Sequence, residues 1–256
     1  MIMNHSRLRI LTKVCLSFLV FLLLSGCATM DTVDPRDPFE QANRTVYSFN
    51  EFMDEHLFDH VSHFYQDITP DLVDRGISNM FSNVRDISVI ANDFLQFKLG
   101  QAISDVARVV FNSTIGLLGF FDVSSHIGLP KHNEDFGQTL AYWGVGSGPY
   151  LVLPFLGPST VRDGIGYGVD SLINPVSYIG TDASSAGLMA LNYVDFKADL
   201  LSTGNLIAEA ALDKYEFVKN AYLERRNNMV HDREYSEPEF DEKEFDEKEF
   251  EDGEQE

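Results

Sequence analysis

From Gly144 to Gly180 the chain carries eight glycines and four prolines, set among strongly apolar residues such as Leu151-Val152-Leu153-Pro154-Phe155-Leu156. Proline removes a helical donor and glycine loosens the backbone, so no continuous membrane-spanning helix can run through this stretch. A second apolar segment, Leu117-Leu118-Gly119-Phe120-Phe121, is interrupted in the same way. Such segments have two outlets. Either a water-soluble domain hides them in its core, or the protein lies within a bilayer with amphipathic helices turned toward lipid.

The flanking sequence is helical in pattern. Phe39, Ala42, Val46, Phe49 and Met53 recur at spacings of three and four, one apolar stripe on a helix. Asp37 can cap that helix, Pro38 suits its first position, and Glu40 can reach back as in a capping box. Thr69-Pro70 begins a second helix by the same logic. Ile87, Ile90, Ala91, Phe94 and Leu95 mark a third, and Leu99, Ile103, Val106 and Val110 a fourth. Leu188, Leu191, Val194, Ala198 and Leu201 give a further stripe. Ala208, Ala211, Tyr215, Val218 and Tyr222 give the last, before Arg225-Arg226. No run alternates as a strand would. The sequence predicts a mostly α fold with an irregular segment rich in glycine and proline.

The ends of the chain set its compartment. Arg7, Arg9 and Lys13 precede an apolar run from Val14 to Leu24, of signal-peptide length and short of the roughly 20 residues a spanning helix needs. The run closes on Leu24-Ser25-Gly26-Cys27, a lipobox. Residues 1–26 therefore read as a lipoprotein signal peptide, and Cys27 as the acylated first residue of the mature chain. Cys15 lies in the discarded part, which leaves no disulfide to form. Acyl chains contribute about 0.8 kcal/mol per buried CH₂, so several together hold a protein firmly. Ala28 is not the aspartate of the inner-membrane sorting rule, and so favours the outer membrane.

At the other end, residues 232–256 hold 14 acidic and three basic residues, a net of −11 within a chain total of −21. Phe240-Asp-Glu-Lys-Glu244 repeats as Phe245-Asp-Glu-Lys-Glu249. Dense like charge with little apolar surface predicts a disordered acidic tail. Between the ends, residues 27–36 form a lipidated linker and 37–231 one helical domain.

No catalytic constellation stands out. His56, His60 and His63 share a face if their segment is helical, a spacing that can bind a transition metal. Leu57 occupies the place of the glutamate in a zincin HExxH motif, so solvated or interfacial histidines are the better reading. Asp122, Ser125 and His126 are triad residue types, yet no GxSxG elbow occurs. Gly144-Val-Gly146-Ser-Gly148-Pro149 lacks the Lys-Ser/Thr of a phosphate-binding loop. No metal or cofactor is expected, and the negative charge and secretory address exclude nucleic acid.

Several ordered motifs resemble the MlaA/VacJ family of outer-membrane lipoproteins. They are Asp37-Pro38-Phe39-Glu40-Gln41-Ala42-Asn43-Arg44, the run from Arg108 through Asn112 and Gly116 to Asp122-Val123, Phe136-Gly137-Gln138-Thr139-Leu140, Gly144 to Tyr150, and Leu153-Pro154-Phe155 through Arg162-Asp163. The likeness runs from about Asp37 to Arg226. It implies a ring of amphipathic helices lying in the outer membrane around a polar path for phospholipid headgroups. It further implies a non-enzymatic protein, lipid-anchored and facing the periplasm, that removes misplaced phospholipids from the outer leaflet. A soluble periplasmic carrier of the MlaC type would receive them, and a trimeric porin would hold the lipoprotein in place. Arg108, Asn112 and Arg162 are candidates for the lipid path, because phosphates need donors, although structural ion pairs or caps would use the same groups. Gly144, Gly146 and Gly148 are candidates for a hinge beside the apolar segment Tyr150 to Leu156, or for a rigid turn that needs glycine for its φ values.

Overall fold

A computed structural model describes residues 34–178 and 181–232. Cys27, the signal peptide, most of the linker and all of the acidic tail beyond Asp232 lie outside the described residues.

The expectation of a mostly helical fold holds. α1 (Glu40–Met53) runs through a widened π-turn (Asp54–Phe58) into α2 (Asp59–Ile68). The histidine segment is thus helical, with His56, His60 and His63 all exposed. α3 (Asp71–Leu95) and α4 (Leu99–Thr114) pack together, joined by the tight turn at Gln96–Lys98. Two short helices follow, α5 (Val123–His126) and α6 (Phe136–Tyr142), then a hairpin of β1 (Tyr150–Leu153) and β2 (Gly157–Thr160). α7 (Val161–Ile173), a 3₁₀ turn (Pro175–Tyr178), α8 (Asp182–Ala210) and α9 (Lys214–Val230) complete the order. Among the described residues, no helix is long and apolar enough to cross a membrane.

Four local expectations are corrected. The second and third expected helices are one, α3, because Gly76 does not break it: its missing side chain leaves the space filled by the Phe120 ring. The last stripe, begun at Ala208, is divided, since Asp213 accepts from the Glu216 N–H and starts α9 afresh. Asp37 caps nothing. Helix α1 starts at Glu40 without a side-chain cap, while the Asp37 carboxylate is buried among Asn43, Tyr215 and Lys219. The hairpin was not expected, since four-residue strands are too short to show alternation.

That hairpin is antiparallel, with Tyr150 opposite Thr160 and Leu153 opposite Gly157. Helix α1 completes its free edge with amides seven residues apart. Asn43 donates to the Tyr150 carbonyl at 3.0 Å and accepts from the Val152 N–H at 2.9 Å. Asn50 does the same for Leu153 and Phe155 at 3.0 and 2.8 Å. Side chains thereby satisfy an edge that would otherwise be left unpaired. Tyr150, Val152 and Tyr215 form a small apolar cluster here, flanked by Val46, Tyr47, Tyr222 and Leu223.

Elsewhere polarity is inverted. Among the described residues 23 polar or charged residues are buried, against eight apolar ones. Two of the predicted apolar stripes face outward: Leu99, Ile103, Val106 and Val110 of α4 are all exposed, as are Ile87, Phe94 and Leu95 of α3. The turn tips follow suit. Phe97, Leu117, Leu118 and Phe155 have left-handed backbones, a strain of about 1–2 kcal/mol each for such residues. Phe97 is nonetheless 75% exposed and Leu118 70% exposed. The water-soluble outlet, in which these segments are buried, is not the one taken.

Candidate functional site

The inward faces of α3 and α4 build a polar groove. Asn83, Asp86, Asn92 and Asp93 on α3, Gln96 in the turn just after it, and Asp105, Arg108 and Asn112 on α4 are all buried. A strap, residues 129–135, lies over the groove and is tied to it nearly residue by residue. Arg108 donates to the Leu129 carbonyl at 2.5 Å, and Lys131 pairs with Asp86. His132 Nδ1 lies 3.0 and 2.9 Å from the two oxygens of Asp105. Glu134 accepts from Gln96, Lys98 and Gln101 at 3.0, 2.8 and 3.1 Å. Burial pushes the Asp86 carboxyl up and the Lys131 ammonium down, against the pairing that would keep both charged.

The groove continues to α6 and α7. Thr139 donates to Asn92 Oδ1 at 2.8 Å, and Asn92 donates to Asp170 at 3.0 Å. Asp170 also accepts from the Phe136 N–H at 2.9 Å, yet burial still raises its pKa. Helices α6 and α7 cross where Gly137 meets Gly166. A Cβ on Gly166 would sit 2.4 Å from the Gly137 nitrogen. Arg226 of α9 clamps the crossing, donating to Asp135 at 2.5 and 3.0 Å and to Asp163 at 3.1 and 2.8 Å. Burial opposes the Arg226 charge, but Asp135 and Asp163 outweigh it and raise its pKa. Asp163 is lowered in return.

Of the candidate path residues, Arg108 and Asn112 come together and Arg162 stands apart. Arg108 and Asn112 both donate to Asp122, at 3.1 and 3.0 Å, and Asn112 accepts from the Ser124 N–H. Burial alone would raise the Asp122 carboxyl, but Ser125, Asn112 and Arg108 bring it down to about 2. Arg162, on α7, donates to Asp163 through Nε and Nη2, each at 3.0 Å. Its backbone N–H reaches the Ser147 carbonyl at 3.1 Å and fixes one end of the glycine loop.

In that loop Gly144 (φ 88°) and Gly148 (φ 67°) require glycine, whereas Gly146 does not. A side chain at Gly146 would meet open space. A cleft of about 630 Å³ opens beside the loop, lined by Ser147 and Gly148, by Pro35 and Arg36, and by Asn220, Leu223, Glu224 and Asn227 of α9.

Asp122, Ser125 and His126 do not form a relay: Ser125 Oγ donates to Asp122, while His126 Nδ1 sits on the Asp122 backbone carbonyl. Among the described residues, no three His, Cys, Asp or Glu side chains are grouped to hold a metal. The sequence reading missed the strap, Asp93, Asp105, Arg226 and Lys219. Asp93, Asp105 and Arg226 stood in plain sight as the polar complement of the apolar stripes or as charges beside a motif. Lys219 gave no local signal.

Comparison with known proteins matches this architecture. A family model described as MlaA lipoprotein matches residues 35–229. The chain is 34% identical to the intermembrane phospholipid transport system lipoprotein MlaA of Shigella flexneri, over 83% of this chain and 86% of that one. It is 33% identical to its Escherichia coli counterpart over the same shares, and 32% identical to an uncharacterised protein of Rickettsia felis over 76% and 78%. A solved structure, from work on the structural basis for maintenance of bacterial outer membrane lipid asymmetry, superposes with a TM-score of 0.67 at 31% identity. It covers 76% of this chain and 98% of the other. The chain belongs to the MlaA lipoprotein family.

Proposed function

We propose that the protein takes misplaced phospholipids from the outer leaflet of the outer membrane and passes them to a soluble periplasmic carrier of the MlaC type, which maintains lipid asymmetry. The observation that carries this reading is the inverted polarity: charged and amide side chains line the interior, while large apolar side chains cover the outside. An apolar exterior of this extent is unfavourable in water and favourable at hydrocarbon depth. A headgroup moving along polar groups while its acyl tails stay among apolar ones avoids the cost of burying a charge in hydrocarbon. Two relatives named for intermembrane phospholipid transport support the same direction.

In this reading residues 1–26 direct export, Cys27 carries the acyl chains, and residues 27–36 tether the helical domain, 37–231, to the periplasmic face of the outer membrane. The acidic tail, 232–256, is a solvated appendage. A trimeric porin holds the protein in the plane of the membrane. The work is positioning and passage, not bond chemistry, so the protein is not an enzyme. Arg108, Asn112 and Arg162, whose donors, apart from the Arg108 Nε, are directed to Asp122, Asp163, Ser125 and the Leu129 carbonyl, act by holding the walls of the path. Gly144, Gly146 and Gly148 form the hinge at its mouth.

Outer-leaflet phospholipid in cells lacking the gene tests this. The level should rise, fall again with the wild-type gene, and stay high with Cys27→Ser. An unchanged level in the deletion strain points instead to a structural lipoprotein, and release of free fatty acid from phospholipid points to a hydrolase.

A further inference from the structure

The polar groove holds a carboxyl for which the protein supplies no donor. Asp93 is fully buried, and neither of its oxygens has a hydrogen-bond partner among the described residues. A buried carboxylate without donors is among the most unfavourable arrangements a protein can hold. The charged groups packed around it are otherwise engaged. From the α3–α4 turn, Lys98 binds Glu134 and Asp232 at 2.8 and 2.5 Å. From α4, Arg108 serves Asp122, Ser125 and Leu129 with its two terminal nitrogens, while its buried Nε has no partner among the described residues. From the strap, Lys131 binds Asp86, and His132 binds Asp105.

What does reach Asp93 is another carboxyl, Asp105, across the α3–α4 interface. Asp105 is 1% exposed, and His132 Nδ1 lies against both of its carboxyl oxygens. Two carboxyls can hydrogen-bond only if one carries a proton; with both ionised, neither oxygen of Asp93 has a donor, as observed. We propose that Asp93 is protonated in the native protein and donates that proton to Asp105, so that Asp93, Asp105 and His132 form one chain latching α3, α4 and the strap together.

The latch is sensitive to alkali. Burial, then the Asp105 and Glu134 charges, push Asp93 from 3.8 up to about 8, against a weaker pull from Lys98. The folded state therefore holds a proton that the unfolded chain releases, and stability falls as pH rises between those two values. Below the lower value both states are protonated, and above the upper one both are ionised. Within the window one extra bound proton makes the unfolding constant rise about tenfold per pH unit. Deprotonation sets two buried carboxylates against each other and frees the strap at His132, and the strap continues directly into α6.

Denaturant unfolding of the purified full chain, followed across this window, tests the latch together with infrared absorption of the protonated carboxyl. Wild type should lose stability with the stated slope, and should lose one protonated-carboxyl band on passing to the alkaline side. Asp93→Asn keeps a donor toward Asp105 at every pH, so its slope should flatten and that band should be missing at the start. An Asp93→Asn protein with the wild-type slope, or with the band intact, overturns the proposal. Should Asp93→Asn fail to fold, Asp105→Asn removes the neighbouring charge and should move the loss of the band to lower pH. A band that stays where it was in wild type also overturns it.

Discussion

Gly166 sits where α7 crosses α6, and its substitution by alanine isolates the packing of that crossing. The new Cβ would lie 2.4 Å from Gly137 N, 2.8 Å from Gly137 Cα and 3.1 Å from the Phe136 carbonyl carbon. All three are backbone atoms, so no side chain can swing away. Ordinary contact is about 3.5–4.0 Å, and the helices must part by about 1 Å. Overpacking of a rigid site costs about 3 kcal/mol at the upper end of its usual range. Alanine returns about 1 kcal/mol of helix propensity, which leaves a net loss of about 2 kcal/mol.

Gly168, two residues on in the same helix, is the internal control: a Cβ there meets nothing within 4 Å. Gly168→Ala should gain up to about 1 kcal/mol from propensity alone. The sister variants should therefore differ by about 3 kcal/mol, or about 6–12 °C in melting temperature for a domain of this size. Thermal and denaturant unfolding of both proteins in the same detergent would measure the difference. Equal stability of Gly166→Ala and Gly168→Ala would refute the close crossing.

Lys219→Met strips the ammonium from Asp37, Glu216 and Asp34; breaking such a buried pair costs about 3 kcal/mol, and a shift in denaturation midpoint worth under about 1 kcal/mol would contradict it. Asp122 is lowered to about 2, so in the folded state it stays ionised while the unfolded chain protonates. It adds stability above the ordinary carboxyl value of 3.8 that is lost as pH falls toward about 2. Asp122→Asn should show a shallower acid transition than wild type, and identical transitions would count against the Arg108–Asn112–Asp122 network. Gly146→Pro fixes φ near −65° at a position with open space around it, so the protein should accumulate normally while outer-leaflet phospholipid builds up. Wild-type lipid asymmetry in the folded variant would rule out the hinge.

The helices were legible in the sequence, because the three-and-four spacing of Leu99, Ile103, Val106 and Val110 depends only on helical geometry. Which way the stripe faces was not, since the same pattern serves a core or a lipid surface. The answer lay in the other face: Asp105, Arg108 and Asn112 are too polar to turn outward if the apolar side meets lipid. Boundaries failed where tertiary contacts decide them. Two helices were expected where there is one, and within it Gly76 leaves room for the Phe120 ring, 44 positions on. Asp37-Pro38-Phe39-Glu40 reads as a cap until Tyr215 and Lys219 arrive from the far end of the chain and claim the Asp37 carboxylate. The candidate path residues were chosen for their donors, and most of those donors are spoken for, by partners 10 to 21 residues away for Arg108 and Asn112 and one residue away for Arg162, with the Arg108 Nε left unpaired.

The central claim is that polar groups occupy the interior while the apolar exterior meets lipid, and one native probe reads it. Trp143 is the chain's single tryptophan. It is 52% exposed, with its indole N–H on the Leu95 carbonyl at 3.2 Å and exposed Tyr142, Val145 and Leu95 around it. In vesicles whose phospholipids carry bromine on the acyl chains, Trp143 fluorescence should be strongly quenched and aqueous iodide should have little effect. Quenching by iodide with no response to the brominated lipid would place that face in water and contradict the account.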